Sequence, residues 1–357
     1  MRAAVGATTA IAVAAGLLVA APRLVSQAAR VPPPRVTWRA EQPASARETG
    51  RFADPRLAES SGVVASRRHA GLLWSIGDGG TGPLLFATDT LGRALGAFTV
   101  AGADNVDWEA IAPGPCGAGE AEGAAPHPTC LYLADTGDNK GDRATVTLYR
   151  VREPADPRTA RTARTARTAR TARTAPPAAD TARRTASAAA LVVRYADGPH
   201  DVEAALVTPA GDVLLLAKTF KAAPTYYRVP ADAWTRRAAG AAGAAPARAE
   251  LVDTLPIAPD ALGRWVTDAA LAPDGRHVVV RTYRDLYLFR LDDAGRLAPA
   301  DPPARCDLFG LEPQGEGVDW LDARTLVLTS ERALGLPAAV HVVRCPSFTL
   351  TRSSTDR

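Results

Sequence analysis

The sequence is poor in the residues that most often betray a chemistry. Its 357 positions hold four cysteines, five histidines, one methionine and 6% aromatic residues. No C-x-x-C pair occurs, which argues against structural zinc and thioredoxin-type exchange. No G-x-S-x-G, Walker-type or H-E-x-x-H run is present, so these patterns give no nucleophile elbow, phosphate-cradling loop or zinc-protease helix. Helical periodicity is almost absent, which excludes alternating strand–helix architectures. The first residues carry neither a twin arginine nor a lipobox cysteine.

What is present has a globular composition, 46% hydrophobic and 22% charged. Residues 1–29 read as an export signal: Arg2 precedes the run AAVGATTAIAVAAGLLVAA, and Ser26 and Ala28 offer small residues for cleavage. The alternative is an uncleaved anchor, because a run of this length can just span a bilayer. Export fits the cysteines, whose even number favours disulfides in an oxidising compartment, with Cys116 pairing with Cys130 and Cys306 with Cys345. The formal charge of +4 misleads. Six arginines (158, 161, 164, 167, 170 and 173) sit in a repeated R-T-A tract, and without them the charge is −2. That tract, within a low-complexity loop at 156–187, has no interleaved aromatics and reads as a solvated linker, so nucleic acid is not an expected partner.

Periodicity carries the fold. Segments beginning at Glu59, Asp107, Asp201, Thr267 and Gly315 each open on polar or acidic residues, run small and apolar, turn near Gly or Asp, and continue apolar. Each is followed by third and, in most units, fourth strand-like runs. Four-stranded units repeated this way predict an all-β chain, a β-propeller of antiparallel blades over 57–357. Five blades are favoured; six would need one diverged unit. Residues 30–56 form an N-terminal extension in which PRVTWRAEQ could supply the last blade's fourth strand and close the ring.

The stretches GADNVDWEAIAPGP, LYLADTGDNKGDR with LYRVREP, YADGPHDVEAALV and RTYRDLYLF resemble uncharacterised bacterial secreted β-propeller proteins marked by DWE(D/A)IA and GD(I/T)GDN segments. The resemblance covers about residues 57–335. It implies export and a propeller, and no particular reaction.

In an antiparallel blade, strand one starts on the face where strand two ends, so both share one rim. That rim should gather Glu59 and Asp78 of blade one; Asp107, Glu109, Asp135, Asp138, Asn139 and Asp142 of blade two; and His200, Asp201, Glu203 and Lys218 of blade three. Blade four adds Asp268 and Arg281, and blade five Glu316 and Glu331. Carboxylates crowded into one channel need a counter-ion or large pKa shifts. Ca²⁺ suits the oxygens of Asp135, Asp138, Asn139 and Asp142. The leading expectation is a monomer that binds a small molecule, polysaccharide or protein at this rim, with structural Ca²⁺. A membrane is a partner only through an uncleaved N-terminal segment. The alternative is a Ca²⁺-dependent hydrolase of phosphoesters or lactones, with Asp107, Glu109, His200, Asp201, Glu203 or Glu316 moving protons or activating water. The structural alternative is that the acids only staple blade to blade, accepting hydrogen bonds from neighbouring backbone N–H groups. Trp74, Trp108, Trp265 and Trp320 are expected in the blade packing, while Tyr226, Tyr227, Tyr283 and Tyr287 could reach a ligand.

Overall fold

The structure, a computed structural model, describes residues 35–117, 129–159, 183–239, 245–259, 263–348 and 350. Short apolar runs broken by turns give 23 strands within them. After β1 (Arg39–Glu41) and β2 (Ser45–Arg51), blade one runs β3 (Ser60–Ala65), β4 (Leu73–Gly77), β5 (Leu84–Thr88) and β6 (Ala94–Ala101). Blade two has β7 (Trp108–Pro115), β8 (Thr129–Asp135) and β9 (Val146–Arg152); then an edge strand, β10 (Arg183–Ser187), pairs in parallel with β6 before β11 (Ala189–Tyr195) returns to β9. Blade three has β12 (Val202–Val207), β13 (Val213–Ala217), β14 (Thr225–Val229) and β15 (Ala247–Thr254), with helix α1 (Asp232–Ala239) between the last two. Blade four has β16 (Val266–Leu271), β17 (His277–Thr282), β18 (Asp285–Leu291), the short β19 (Leu297–Pro299) and β20 (Ala304–Asp307). Blade five has β21 (Gly315–Trp320), β22 (Leu326–Ser330) and β23 (Ala339–Arg344).

The first strands pack on one another: β3 lies beside β7 and β21, β12 beside β7 and β16, and β16 beside β21. Five blades among the described residues therefore close a β-propeller with strand one innermost. Apolar side chains fill the spaces between blades. Trp74, Leu85 and Phe98 of blade one meet Trp108, Leu133 and Tyr149 of blade two, and blades two and three, three and four, four and five, and five and one each share such a cluster. No blade buries both faces alone, so the ring is the folding unit.

Blade five takes its fourth strand from the N-terminal extension, and the strand is β2, antiparallel to β23. PRVTWRAEQ instead contributes β1, which adds in parallel to β20. The reason lies in burial. An outermost strand is largely exposed and needs no apolar pattern, whereas Trp38 is drawn to Tyr287 and Phe289, with ring centroids 4.9 and 5.4 Å away.

Both disulfides form, Cys116–Cys130 within blade two and Cys306–Cys345 between blades four and five, which suggests an extracellular or oxidising compartment. Among the described residues no helix is long and apolar enough to cross a membrane. The export segment and the R-T-A repeats from residue 160 on lie outside the described residues.

Candidate functional site

One irregularity recurs in every blade. The pairing of strand one with strand two shifts register near the start of strand one, between Ser60 and Gly62, Trp108 and Ala110, Val202 and Ala204, Val266 and Asp268, and Gly315 and Val318. A bulge leaves its extra residue outside the ladder and re-aims its side chain. The residues so placed include Ser61, Glu109, Glu203, Thr267 and Glu316, one from each blade. Ser61 Oγ donates to Trp108 O at 2.7 Å and Thr267 Oγ1 to Gly315 O at 3.1 Å, each tying its blade to the next. The other three present carboxylates at the channel mouth.

Glu109 is 7% exposed, and no hydrogen bond reaches its carboxylate from the described residues. Its ligand oxygen lies within 4.8 Å of those of Asp78 and Asp107. The surrounding loops are fixed by other groups. Asn105 Nδ2 donates to Gly77 O at 3.1 Å, Asn105 Oδ1 accepts from Trp108 N at 3.0 Å, and Asp107 O accepts from Thr136 and Gly137 N at 3.1 and 3.2 Å. A Cβ at position 137 would fall on the Asp107 and Glu109 carboxylates, so glycine leaves room for them. Trp108 turns the other way into the blade one–two core and donates to Asp104 O at 2.8 Å.

Beyond Glu109 the mouth continues through a polar chain. Lys218 Nζ stands 2.9 Å from Glu203 Oε1 and donates to Tyr283 OH at 3.1 Å; Tyr283 OH donates to Glu316 Oε1 at 3.0 Å. Gln314 Nε2 bridges Glu316 Oε1 at 3.4 Å and Glu331. Burial, then Glu203, Asp78, Asp107 and Glu316, push Glu109 well above the usual carboxyl range. Burial and Asp78 bring Asp107 to about 7. Glu203 rises to about 8 through burial, which outweighs Lys218, with Glu316 and Asp201 adding to it. Glu316 rises to about 7 through burial against Lys218, with Glu331 adding to it, and Glu331 to about 7 through burial, Asp78 and Glu59. Lys218 is held charged: burial opposes its ammonium, but Glu203, Tyr283 and Glu316 outweigh it. One ammonium cannot neutralise the surrounding acids, so the mouth holds protons at neutral pH or takes up a cation.

Other sequence candidates have structural employment. In the loop expected to bind Ca²⁺, Asp135 and Asp138 are engaged by neighbouring donors, while Asn139 and Asp142 face solvent. Asp138 accepts from Asp142 N at 2.9 Å and Arg143 N at 3.0 Å, and Asp135 pairs with Arg143 at 2.8 Å and accepts from Asp107 N at 3.1 Å. The loop braces Asp107, and the converging carboxylates are those of Asp78, Asp107 and Glu109. Asp268 accepts from Val318 N at 2.7 Å, stapling blade four to five. Arg281 is fully buried; it donates to Gly317 O at 2.6 Å and pairs with Glu312, which also bonds His341 Nδ1 at 2.8 Å. His200 is held by Asp197 at 2.8 Å and Tyr227 OH at 2.6 Å. Asp201 Oδ1 accepts from Asp138 N at 2.8 Å while Oδ2 is buried without a partner, and burial raises its pKa. Glu59 is exposed beside the mouth, and its backbone O accepts from Asp78 N. Tyr226, Tyr227 and Tyr287 are buried in blade packing, leaving Tyr283 at the rim. Sequence reasoning passed over Gln314, Asn105 and Gly137; the small residues after the bulged acids, in WEA, VEA and GEG, were the available signal for the bulges.

Away from this mouth, an open cleft of about 870 Å³ lies on the opposite rim, lined by Thr208, Asp212, Asp274, Arg276, Arg290 and Asp292. No family's sequence profile matches the chain, and no curated protein does. Among solved structures it is similar to the Dos1 propeller, at 10% identity over 76% of this chain and 53% of that one, TM-score 0.32. It is similar also to Hsv2p of Kluyveromyces lactis, at 12% identity over 76% and 64%, TM-score 0.27. A third is a proposed 6-phosphogluconolactonase of Bacteroides uniformis, at 12% identity over 82% and 69%, TM-score 0.30. The matches thus span about half of the first of these proteins and about two thirds of the other two.

Proposed function

We propose that this protein is an exported β-propeller that binds a ligand at its acidic rim through Ca²⁺ held by Asp78, Asp107 and Glu109. The observation that carries the reading is Glu109: a residue only 7% exposed, whose carboxylate has no hydrogen-bond donor among the described residues, beside two more carboxylates, in space kept open by Gly137. Such a group is costly unless protonated or paired with a cation. Ca²⁺ takes six to eight oxygens, so three carboxylates leave positions for oxygens of a ligand. Export is supported by the two disulfides and by the composition of residues 1–29. The hydrolase reading has less support, because the histidine it would use, His200, is engaged by Asp197 and Tyr227.

The test is calorimetric titration of chelator-treated protein with Ca²⁺, on the natural chain and on Glu109→Gln. Saturable binding is expected, weakened at least tenfold in the variant. Absence of Ca²⁺ binding, or equal affinity in both proteins, would end the proposal.

A further inference from the structure

Three of the tryptophans behave alike, although they sit at different places in their blades. Trp74, Trp108 and Trp320 are fully buried, and their indole N–H groups donate to Glu153 at 2.9 Å, Asp104 O at 2.8 Å and Ala270 O at 3.3 Å. Trp265 departs from this pattern. It is partly exposed just before blade four's first strand, and its buried N–H has no partner among the described residues. One side meets Phe220, centroids 4.7 Å apart and 69° between planes, and another meets Tyr283 at 6.0 Å and 80°. Phe220, in the loop after blade three's second strand, is 51% exposed. The three rings therefore form a ledge running from solvent to the channel mouth. At its inner end Lys218 Nζ lies 5.3 Å from the Tyr283 ring centroid, and the polar chain to Glu203 and Glu316 begins.

We infer that this ledge is a carbohydrate subsite, on which a pyranose ring of a neutral glycan rests with its hydroxyls directed to Lys218, Glu203 and Glu316. The inference rests on the rim being the ligand site. Its chemistry is specific. A pyranose has an apolar C–H face, which suits an exposed aromatic surface. It also carries adjacent hydroxyls that donate and accept at once, which suits an ammonium, a phenol and carboxylates packed within hydrogen-bonding distance of one another. A lipid chain offers those groups no donor or acceptor. Around Lys218, Glu203 and Glu316 the carboxylates outnumber the one ammonium, which disfavours an anionic sugar at this end of the ledge and favours a neutral one.

The experiment uses the full chain in Ca²⁺ and in chelator, titrated calorimetrically with neutral hexasaccharides of glucose, mannose, galactose, xylose and N-acetylglucosamine. An oligogalacturonate and a Phe-Lys-Phe peptide serve as comparisons. At least one neutral oligosaccharide should bind saturably, and Phe220→Ala should weaken it tenfold or more while leaving Ca²⁺ affinity unchanged. Phe220 is half exposed, so the variant should fold, which its melting curve checks. If Ca²⁺ binds and no neutral oligosaccharide does, the subsite assignment is wrong and the cation reading survives. If a sugar binds with Phe220 dependence and Ca²⁺ does not, the subsite stands and the cation reading falls. Binding of the peptide or the oligogalacturonate alone, with the same sensitivity, overturns the sugar assignment.

Discussion

At the scale of single residues, Leu334 is held against its own preference. Its φ is 53°, and it is the one residue other than glycine with positive φ among the described residues; Gly335 follows at 79°. Ala333 and Leu336 exchange backbone hydrogen bonds at 3.2 and 2.8 Å, closing a two-residue turn that demands positive φ at both central positions. A left-handed conformation costs an L-residue about 1–2 kcal/mol through its Cβ. Nothing repays this through packing, since Leu334 is 90% exposed. Glycine removes the clash and loses about 0.5–1 kcal/mol more backbone entropy on folding. Leu334→Gly should therefore stabilise the protein by about 0.5–1 kcal/mol in urea unfolding. A loss of stability would show that the leucine side chain is anchored.

At the scale of elements, blade two is stitched where its first hairpin is open. β7 ends at Pro115 and β8 begins at Thr129, and Cys116–Cys130 closes the 14-residue separation between them. A bridge over a loop of that length constrains the unfolded chain by about 3 kcal/mol. Replacing both cysteines by serine should lower unfolding stability by about that amount and leave the far-ultraviolet spectrum intact; an unchanged midpoint would place the stability of blade two elsewhere. The same scale shows what the sequence makes legible. Meanders and the all-β class follow from short, nearly continuous apolar runs such as VLLLA and HVVVRT bounded by turn residues, because inner strands are apolar on both faces, and the disulfide pairing follows from the cysteine spacing. Residues such as β2, in SARETGR, are not legible as a strand, because an edge strand is held by backbone hydrogen bonds and carries no apolar signature. The mouth is legible only in part. Strand order puts Asp78, Asp107, Glu109, Glu203, Glu316 and Glu331 on one rim, but convergence depends on bulges, and one extra residue per strand leaves only the faint trace of a small residue after each acid, in WEA, VEA and GEG. Trp265 shows the same limit: nothing in the sequence separates it from the buried Trp74, Trp108 and Trp320, and only the fold sets it beside Phe220 and Tyr283 near the surface.

At the scale of the whole molecule, ring closure forces the first strands of five blades together and concentrates their bulged acids around one mouth. The consequence is a stability that depends on pH in an unusual direction. Glu203 titrates near 8 and Glu316 and Glu331 near 7 in the folded protein, against about 4.3 for glutamate in an unfolded chain. Between these values the folded state binds more protons than the unfolded one. Stability contributed by the protonated ring is therefore fully present below about pH 4.3 and is lost as pH rises through 7 to 8. Lys218, raised by Glu203, Tyr283 and Glu316, stays charged across that window and contributes no slope. Glu312 works oppositely: despite its burial, Arg281 and His341 hold it below its ordinary value, so its contribution is present above about pH 4.3 and lost on acidification. The scan must therefore start near pH 5, where Glu312 is already ionised. In chelator, the melting temperature should fall from pH 5 to pH 8. Ca²⁺ competes with protons for Asp107 and Glu109, which burial also raises, so adding it should change little at pH 5 and recover at pH 8 the part of the loss that these two carboxylates contribute. A melting temperature that is flat or rises across this range in chelator would mean that the ring is ionised and neutralised from within, and the mouth would then have no demand for a cation.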